Sequence, residues 1–429
     1  MKLTISSTLD IAIKYNEIWV SHTNKNGLVS IFDINYSGLE ILLLCNGLLA
    51  EDEIINLLRF KYKLKKNDVL SIKSFIQEYI NKGVIICGEN EYSYSINFNS
   101  YPELIIPTVL ILEVTNKCQL RCKHCFNSSG LERKKELDVN KFIEIMKQYK
   151  KLGGKILVIT GGEPFLKNGI DRALNFALEN FTYVSVLSNG YTVPNEVLEI
   201  IKNRDNVSVQ ISIDGKEGNH DNIRNVEGAY KRTIENIKLL VECNVPIQIS
   251  FTLNDQNLED LDDVIILSKS LGCKKIIIGC TLETGRAAGG DLSNNVIHDY
   301  TQIVEDAYQK YSDDNFIVGS EESHFDVINK YESQEGLNKC GAGYKTVQIL
   351  SNGDVVMCPM IKGKTLGNVL SESLKEIFNH KNLEFTLKMP SPTIELCGDC
   401  SKFDNCGYCI GKMLEVDNEE CRIRKTHEI

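Results

Sequence analysis

The strongest chemical signal in this chain is a trio of thiols: Cys118, Cys122 and Cys125, within Cys118-Gln119-Leu120-Arg121-Cys122-Lys123-His124-Cys125. Thiolates crowded into so short a loop suit a tetrahedral metal ion or an iron–sulfur cube. One zinc ion would need a fourth ligand from elsewhere in the chain. A 4Fe–4S cube held by three thiolates keeps one iron open to a small molecule. A second bunch lies toward the C-terminus: Cys340, Cys358, Cys397, Cys400, Cys406, Cys409 and Cys421, with Cys-x2-Cys knuckles at 397–400 and 406–409. Seven thiols exceed one cluster and nearly fill two, while a pair of zinc ribbons would want eight ligands. The remaining five of the fifteen cysteines, Cys45, Cys87, Cys243, Cys273 and Cys280, sit in apolar patterns and read as small buried hydrophobes.

Further polar candidates lie on turns. In Gly161-Gly162-Glu163-Pro164 the glycines let a backbone approach a ligand closely, and Glu163 adds a carboxylate. Ser188-Asn189-Gly190, Asp214-Gly215, Arg224 and Gly285-Arg286-Ala287 complete the set. Alone, each is an ordinary αβ turn or a surface arginine. Their positions set them apart, because the turns close apolar runs. The runs are Val109–Val114, Lys155–Thr160, Tyr183–Leu187, Val207–Ile213, Ile247–Leu253 and Lys274–Gly279, and helical stretches such as Asp138–Leu152, Asn168–Asn180 and Leu258–Leu271 fit between them. Near-continuous apolar runs in six β–α units predict an α/β fold with a parallel sheet, open or closed part-way into a barrel. Chemistry in such folds belongs at the C-terminal ends of the strands, where every candidate lies.

Residues 1–90 form a separate unit. Strand-like pieces (Leu3–Ser6, Glu17–His22, Val29–Asp33) precede helices at Tyr36–Cys45, Glu51–Lys61 and Asn67–Lys82, then a strand at Val84–Ile86. This is a winged helix-turn-helix-like pattern. Its third helix is a poor DNA reader, offering Lys65, Lys66, Lys73 and Lys82 against Asp68 and Glu78. Residues 91–107 read as a linker, and the texture from about 340 is hairpins and cysteines, with Asn352-Gly353 turning Thr346–Leu350 into Asp354–Met357. With 42% hydrophobic and 25% charged residues among 429, the chain has the composition of a soluble protein of two or three domains. A formal charge of −10 opposes generic nucleic-acid binding. No run approaches the roughly 20 apolar residues of a membrane span, and no secretion signal opens the chain. The odd cysteine count opposes a disulfide protein, so a reducing cytoplasm is expected.

Cys-x3-Cys-x2-Cys after a first strand, followed one β–α unit later by Gly-Gly-Glu-Pro, resembles the radical S-adenosylmethionine (SAM) family. The C-terminal cysteines resemble that family's SPASM extension, and residues 1–90 resemble the leader-recognition domain fused to maturases of ribosomally made peptides. The resemblance implies a partial (β/α)6 TIM-like barrel over 108–325, a Cys-rich SPASM domain over 326–429, and three 4Fe–4S clusters. Cys118, Cys122 and Cys125 would hold the SAM-binding cluster, with His124 against the adenine. The turn Gly161, Gly162, Glu163 and Pro164 would hold the methionyl amino group. Ser188 and Asn189 would lie near the ribose, Arg224 near the SAM carboxylate and Arg286 beside the adenine, with Asp214 among the cofactor-binding residues. Cys397, Cys400, Cys406 and Cys421 would hold a distal auxiliary cluster and Cys340, Cys358 and Cys409 a nearer one. One residue fewer than usual precedes Cys409, and the nearer cluster lacks a fourth thiol. The implied reaction is abstraction of an unactivated hydrogen by a 5′-deoxyadenosyl radical on a precursor peptide, ending in a cysteine thioether. The leader would add as a strand to a sheet edge, and flavodoxin or ferredoxin would supply electrons. A carbon–carbon crosslink, a sulfatase-maturing formylglycine generator and a zinc-ribbon DNA-binding regulator are the alternatives.

Overall fold

Short apolar segments punctuated by helices fold here into two units, Met1–Pro102 and Glu103–Ile429. The computed structural model describes residues 2–5, 9–14, 17–23, 29–88, 95–98, 104, 106–131, 135–281, 284–289, 300–320, 341–343, 345–361, 364–379, 397, 399–400, 410–411, 421 and 423. In the first unit β1 (Lys2–Ile5), β2 (Leu9–Lys14), β3 (Glu17–Thr23) and β4 (Val29–Ile34) precede α1 (Tyr36–Leu44), β5 (Asn46–Ala50), α2 (Glu51–Tyr62), α3 (Lys66–Asn81), β6 (Ile85–Cys87) and β7 (Ser95–Phe98). They make a three-stranded sheet, β5-β1-β6, and a four-stranded one, β4-β3-β2-β7. Asn35 caps α1, its side chain accepting the Gly38 amide at 2.7 Å. Ile76 is buried on α3, with Ile72 and Ile80 packed on the same core as Leu42, Ile54 and Val84, which is the face its helical spacing predicts. Three strands escape a local reading. β2 and β7 fall outside the predicted elements, and β5 begins at Asn46-Gly47, where only a helix stop is visible; their partners, not their own pattern, make them strands.

The second unit is built on one ten-stranded sheet. Its strands are β8 (Val109–Glu113), β9 (Ile156–Thr160), β10 (Tyr183–Ser188), β11 (Val207–Ser212), β12 (Ile247–Leu253), β13 (Lys275–Cys280), β14 (Ile317–Ser320), β15 (Thr346–Ile349), β16 (Asp354–Val356) and β17 (Gly367–Asn368). Strands β8 to β14 pair in parallel in sequence order. The six expected strands are present, and β14 adds a seventh. Helices α4 (Val139–Lys151), α5 (Ile170–Asn180), α6 (Asn195–Ile201), α7 (Glu217–Arg224), α8 (Ala229–Glu242), α9 (Leu261–Ser270) and α10 (Tyr300–Tyr311) connect them. On α4, Phe142, Ile145, Met146 and Tyr149 are fully buried, and the Tyr149 hydroxyl donates to the Pro107 carbonyl at 2.8 Å, fixing the approach to β8. Truncating such a core residue to Ala costs about 2–5 kcal/mol.

The C-terminal hairpin joins the same sheet. β15 pairs in parallel with β8, Thr346 opposite Val109 and Ile349 opposite Leu112. A parallel pairing across more than 200 residues leaves no local signature, unlike the β15–β16 turn, where Gly353 takes φ +93°. No helix among the described residues is long and apolar enough to cross a membrane.

Candidate functional site

The thiol loop leaves the C-terminal end of β8 and is closed at its neck, where the Cys118 amide donates to the Gly130 carbonyl and the Gly130 amide to Asn116, each at 2.9 Å. Three other elements then hold it. After β9 the Gly162 and Glu163 amides donate to the Thr115 and Lys117 carbonyls at 2.7 and 2.8 Å. A Cβ at Gly162 would run into the Lys117 and Asn116 carbonyl oxygens, so glycine is required for this approach. From α7 the Arg224 and Ile223 carbonyls accept the Arg121 and Lys123 amides. After β13 the Arg286 guanidinium donates to the Cys122 and Ser129 carbonyls, both at 2.7 Å, and its amide to the Cys125 carbonyl at 3.0 Å. Gly285 precedes it at φ +61°, pressed against the Cys125 and Phe126 carbonyls. Arg286, expected beside a ligand, grips the loop's backbone.

Cys118 and Cys122 are buried and Cys125 is partly so. Each sulfur faces an N–H donor: Asn189 Nδ2 at 3.6 Å from Cys118, Arg224 Nη1 at 3.5 Å from Cys122, and the Ser129 amide at 3.4 Å from Cys125. Burial pushes the Cys118 thiol up to about 11, and it raises Cys122 despite the Arg224 charge. Bare thiolates are therefore disfavoured, and a bound metal centre would be what ionises them. Among the described residues no three His, Cys, Asp or Glu side chains converge on a point that one ion would fill.

Around the loop lies a buried polar layer. Asp214 contacts Arg224 Nη2 at 2.6 Å and accepts the Thr252 amide at 3.0 Å. Burial pushes the Asp214 carboxyl up, but Arg224, the two nearby histidines and the Thr252 amide together outweigh it and the carboxyl stays below its usual range. His124 approaches the same carboxylate at 3.6 Å, and burial depresses it to about 4, so it is neutral at pH 7. Glu163 is fully buried, and burial pushes it up to about 7 against the pull of its donors: the Ser188 hydroxyl at 2.9 Å, the Asn189 amide at 2.8 Å and the Phe165 amide at 3.1 Å. Its carboxylate clamps the end of β10 to the end of β9. Pro164 opens the short helix that follows and is buried.

Gln119 Oε1, His124 Nδ1 and Arg224 Nε are buried yet have no hydrogen-bond partner. Orphaned polar atoms of this kind are rare in finished interiors. Three of them beside three donor-facing thiols fit a site shaped for a polar cofactor resting on a cluster. The structure thus brings together Cys118, Cys122, His124, Cys125, Gly161, Gly162, Glu163, Ser188, Asn189, Asp214, Arg224 and Arg286. Gln119 is an addition; it donates to Asn189 Oδ1 at 3.2 Å, and its place between two ligand-spaced cysteines was the available signal.

The C-terminal thiols form a second assembly. Cys397 and Cys421 are buried in an apolar cluster with Met357, Ile361, Ile410 and Ile423, and Cys358 and Cys400 pack against it. Cys340, Cys406 and Cys409 lie outside the described residues.

Residues 112–267 match the model of the radical SAM superfamily, and residues 340–401 that of SPASM, an iron–sulfur cluster-binding domain. The chain is 32% identical over 276 residues to the sporulation killing factor maturation protein SkfB of Bacillus subtilis (strain 168), covering 63% of this chain and 65% of that protein. It is 27% identical over 352 residues to the antilisterial bacteriocin subtilosin biosynthesis protein AlbA of the same strain, covering 81% and 76%. Among solved structures, Streptococcus suis SuiB bound to S-adenosylmethionine superposes with a TM-score of 0.68 at 16% identity, over 98% of this chain and 100% of that one. SuiB bound to the precursor peptide SuiA gives 0.64. At such identity the likeness is one of fold.

Proposed function

This chain is a radical SAM superfamily protein with a C-terminal SPASM iron–sulfur domain, and we propose that it crosslinks a ribosomally made precursor peptide, joining a cysteine sulfur to a carbon. S-adenosylmethionine and iron–sulfur clusters are its cofactors. The observation that carries the peptide reading is the alignment with the maturation protein SkfB and the biosynthesis protein AlbA. Cys118, Cys122 and Cys125 would hold the first cluster. When bound and reduced, cluster and SAM would supply a 5′-deoxyadenosyl radical able to take one hydrogen atom from carbon. The cysteine would lose its thiol proton, and an auxiliary cluster would take the one electron left as sulfur joins the carbon. The chain's own residues do the rest by position. Asn189, Arg224 and Ser129 aim N–H groups at the thiolates. Asp214 holds Arg224, whose unpaired Nε would be free for the SAM carboxylate, and Glu163 holds Ser188 and Asn189, which would lie near the ribose. The Gly161–Glu163 turn would hold the amino group, and neutral His124 would offer a flat face to the adenine. Burial of this layer keeps water from the radical.

Seven C-terminal thiols, one short of two filled cubes, support the thioether: a substrate cysteine would supply the missing ligand. Residues 1–90, read as a winged-helix-like leader-binding unit, would hold the peptide at high local concentration. A flavodoxin or ferredoxin in a reducing cytoplasm would deliver electrons. A carbon–carbon crosslink is the second reading, and the fold likeness to SuiB, solved with a precursor peptide, is compatible with either bond. Mass and alkylation decide between them. The thioether reading expects a peptide lighter by two hydrogens whose cysteine no longer reacts with iodoacetamide. The same mass loss with a reactive cysteine would favour the carbon–carbon bond, and no mass change with a matched peptide would overturn both.

A further inference from the structure

We propose that Glu113 is a positioning residue that ties the three-thiol loop to the hairpin leading into the C-terminal thiols, so that a change at the hairpin tip alters the cluster held by the loop. Glu113 ends β8, and its side chain is buried. On one side Oε1 accepts the Ser351 hydroxyl at 2.8 Å and the Ser351 amide at 3.3 Å. Ser351 opens the turn between β15 and β16, and Cys358 lies just beyond β16. On the other side Oε2 accepts Asn127 Nδ2 at 3.0 Å. That same amide nitrogen reaches Asn116 Oδ1 at 3.3 Å, and Asn116 Oδ1 also accepts the Ser129 hydroxyl at 3.3 Å. Ser129 in turn points its amide at the Cys125 sulfur at 3.4 Å. Hydrogen bonds thus run without a break from Cys125 to the tip of the hairpin.

The backbone alone does not make this link. The β8–β15 pairing reaches Leu112 and Ile349, and the Glu113–Ser351 contact lies just past its last rung, where side chains replace the ladder. Ser351 is also held by its carbonyl, which accepts the Leu137 amide at 2.7 Å, so the hairpin tip cannot drift while its hydroxyl stays engaged. In a buried network every partner counts, because losing one leaves the others imperfectly paired. Donors facing a ligating thiolate raise the potential of its cluster, and supporting contacts of this kind are worth on the order of 10-fold in affinity or activity. The inference rests on a cluster at the loop and not on any particular peptide.

The test is Ser351→Ala in the anaerobically loaded full-length protein, read by potentiometric electron paramagnetic resonance. The component whose spectrum changes on adding SAM reports the loop cluster. We expect it to move to lower potential, with SAM binding weakened on the order of 10-fold and the other cluster signals unmoved. Glu113→Gln, which keeps the shape but replaces one acceptor with a donor, should shift it the same way. The double variant should be no worse than Glu113→Gln alone. An unshifted potential in Ser351→Ala at wild-type iron content would overturn the proposal, as would multiplying effects in the double variant.

Discussion

The two thiol assemblies are built by opposite means. The loop at 118–130 is positioned by the sheet: the ends of β8, β9 and β13, with α7, each donate or accept at its backbone. Cys397 and Cys421 instead share an apolar cluster with Met357 and Ile361, which follow β16, and with Ile410 and Ile423. The first site is held by its fold; the second is expected to draw more of its order from its metal, as small metal-bound domains do.

Removing a ligand gives the widest separation between the two. Cys122→Ala should abolish deoxyadenosine formation, a loss beyond about 10³-fold, while leaving the C-terminal iron and the melting temperature close to wild type. Iron analysis with chromatography of the nucleoside checks this. Iron removal should expose the contrast next. In the apoprotein Cys397 and Cys421 should alkylate on the order of 100-fold faster than in the loaded protein, as expected where metal binding is folding free energy, while Cys118 and Cys122 stay slow; mass spectrometry of labelled peptides reads both. Equal acceleration at all four would break the distinction. Arg286→Ala tests the rigid side directly. It unpairs the Cys122 and Ser129 carbonyls, at about 1–3 kcal/mol each, and should weaken cluster retention and SAM binding about 10-fold.

A pH test concerns Glu163. Burial raises its folded value to about 7 from 4.5, so the folded protein holds a proton that the unfolded chain has released. Its stabilising contribution is full below pH 4.5 and is lost as pH rises through 7, on the order of 3 kcal/mol in all. Chemical denaturation of the apoprotein between pH 5 and 7 should show that slope, and Glu163→Gln should flatten it.

Local sequence carried most of this site. The loop thiols, the Gly161–Glu163 turn and the strand-end residues after β10 and β11 were legible because each sits at the edge of a run whose apolar pattern is self-evident. What stayed hidden was long-range. Arg286 reads as an ordinary turn residue until β13 brings it onto the loop carbonyls. Glu113 looks like a strand's last residue until β15, far along the chain, lies beside it. Pairing also explains β2, β5 and β7, whose own residues carry little preference without the partner strand. Spacing reveals ligands; it does not reveal what grips them.

The central claim is that the Cys118, Cys122 and Cys125 loop carries a cluster with an iron open to SAM. Electron–nuclear double resonance on the reduced protein with SAM labelled by 15N at its amino group tests it most directly. The account expects a strong nitrogen coupling that disappears in Cys122→Ala. SAM bound without coupling, or zinc in place of iron at the loop, would contradict it.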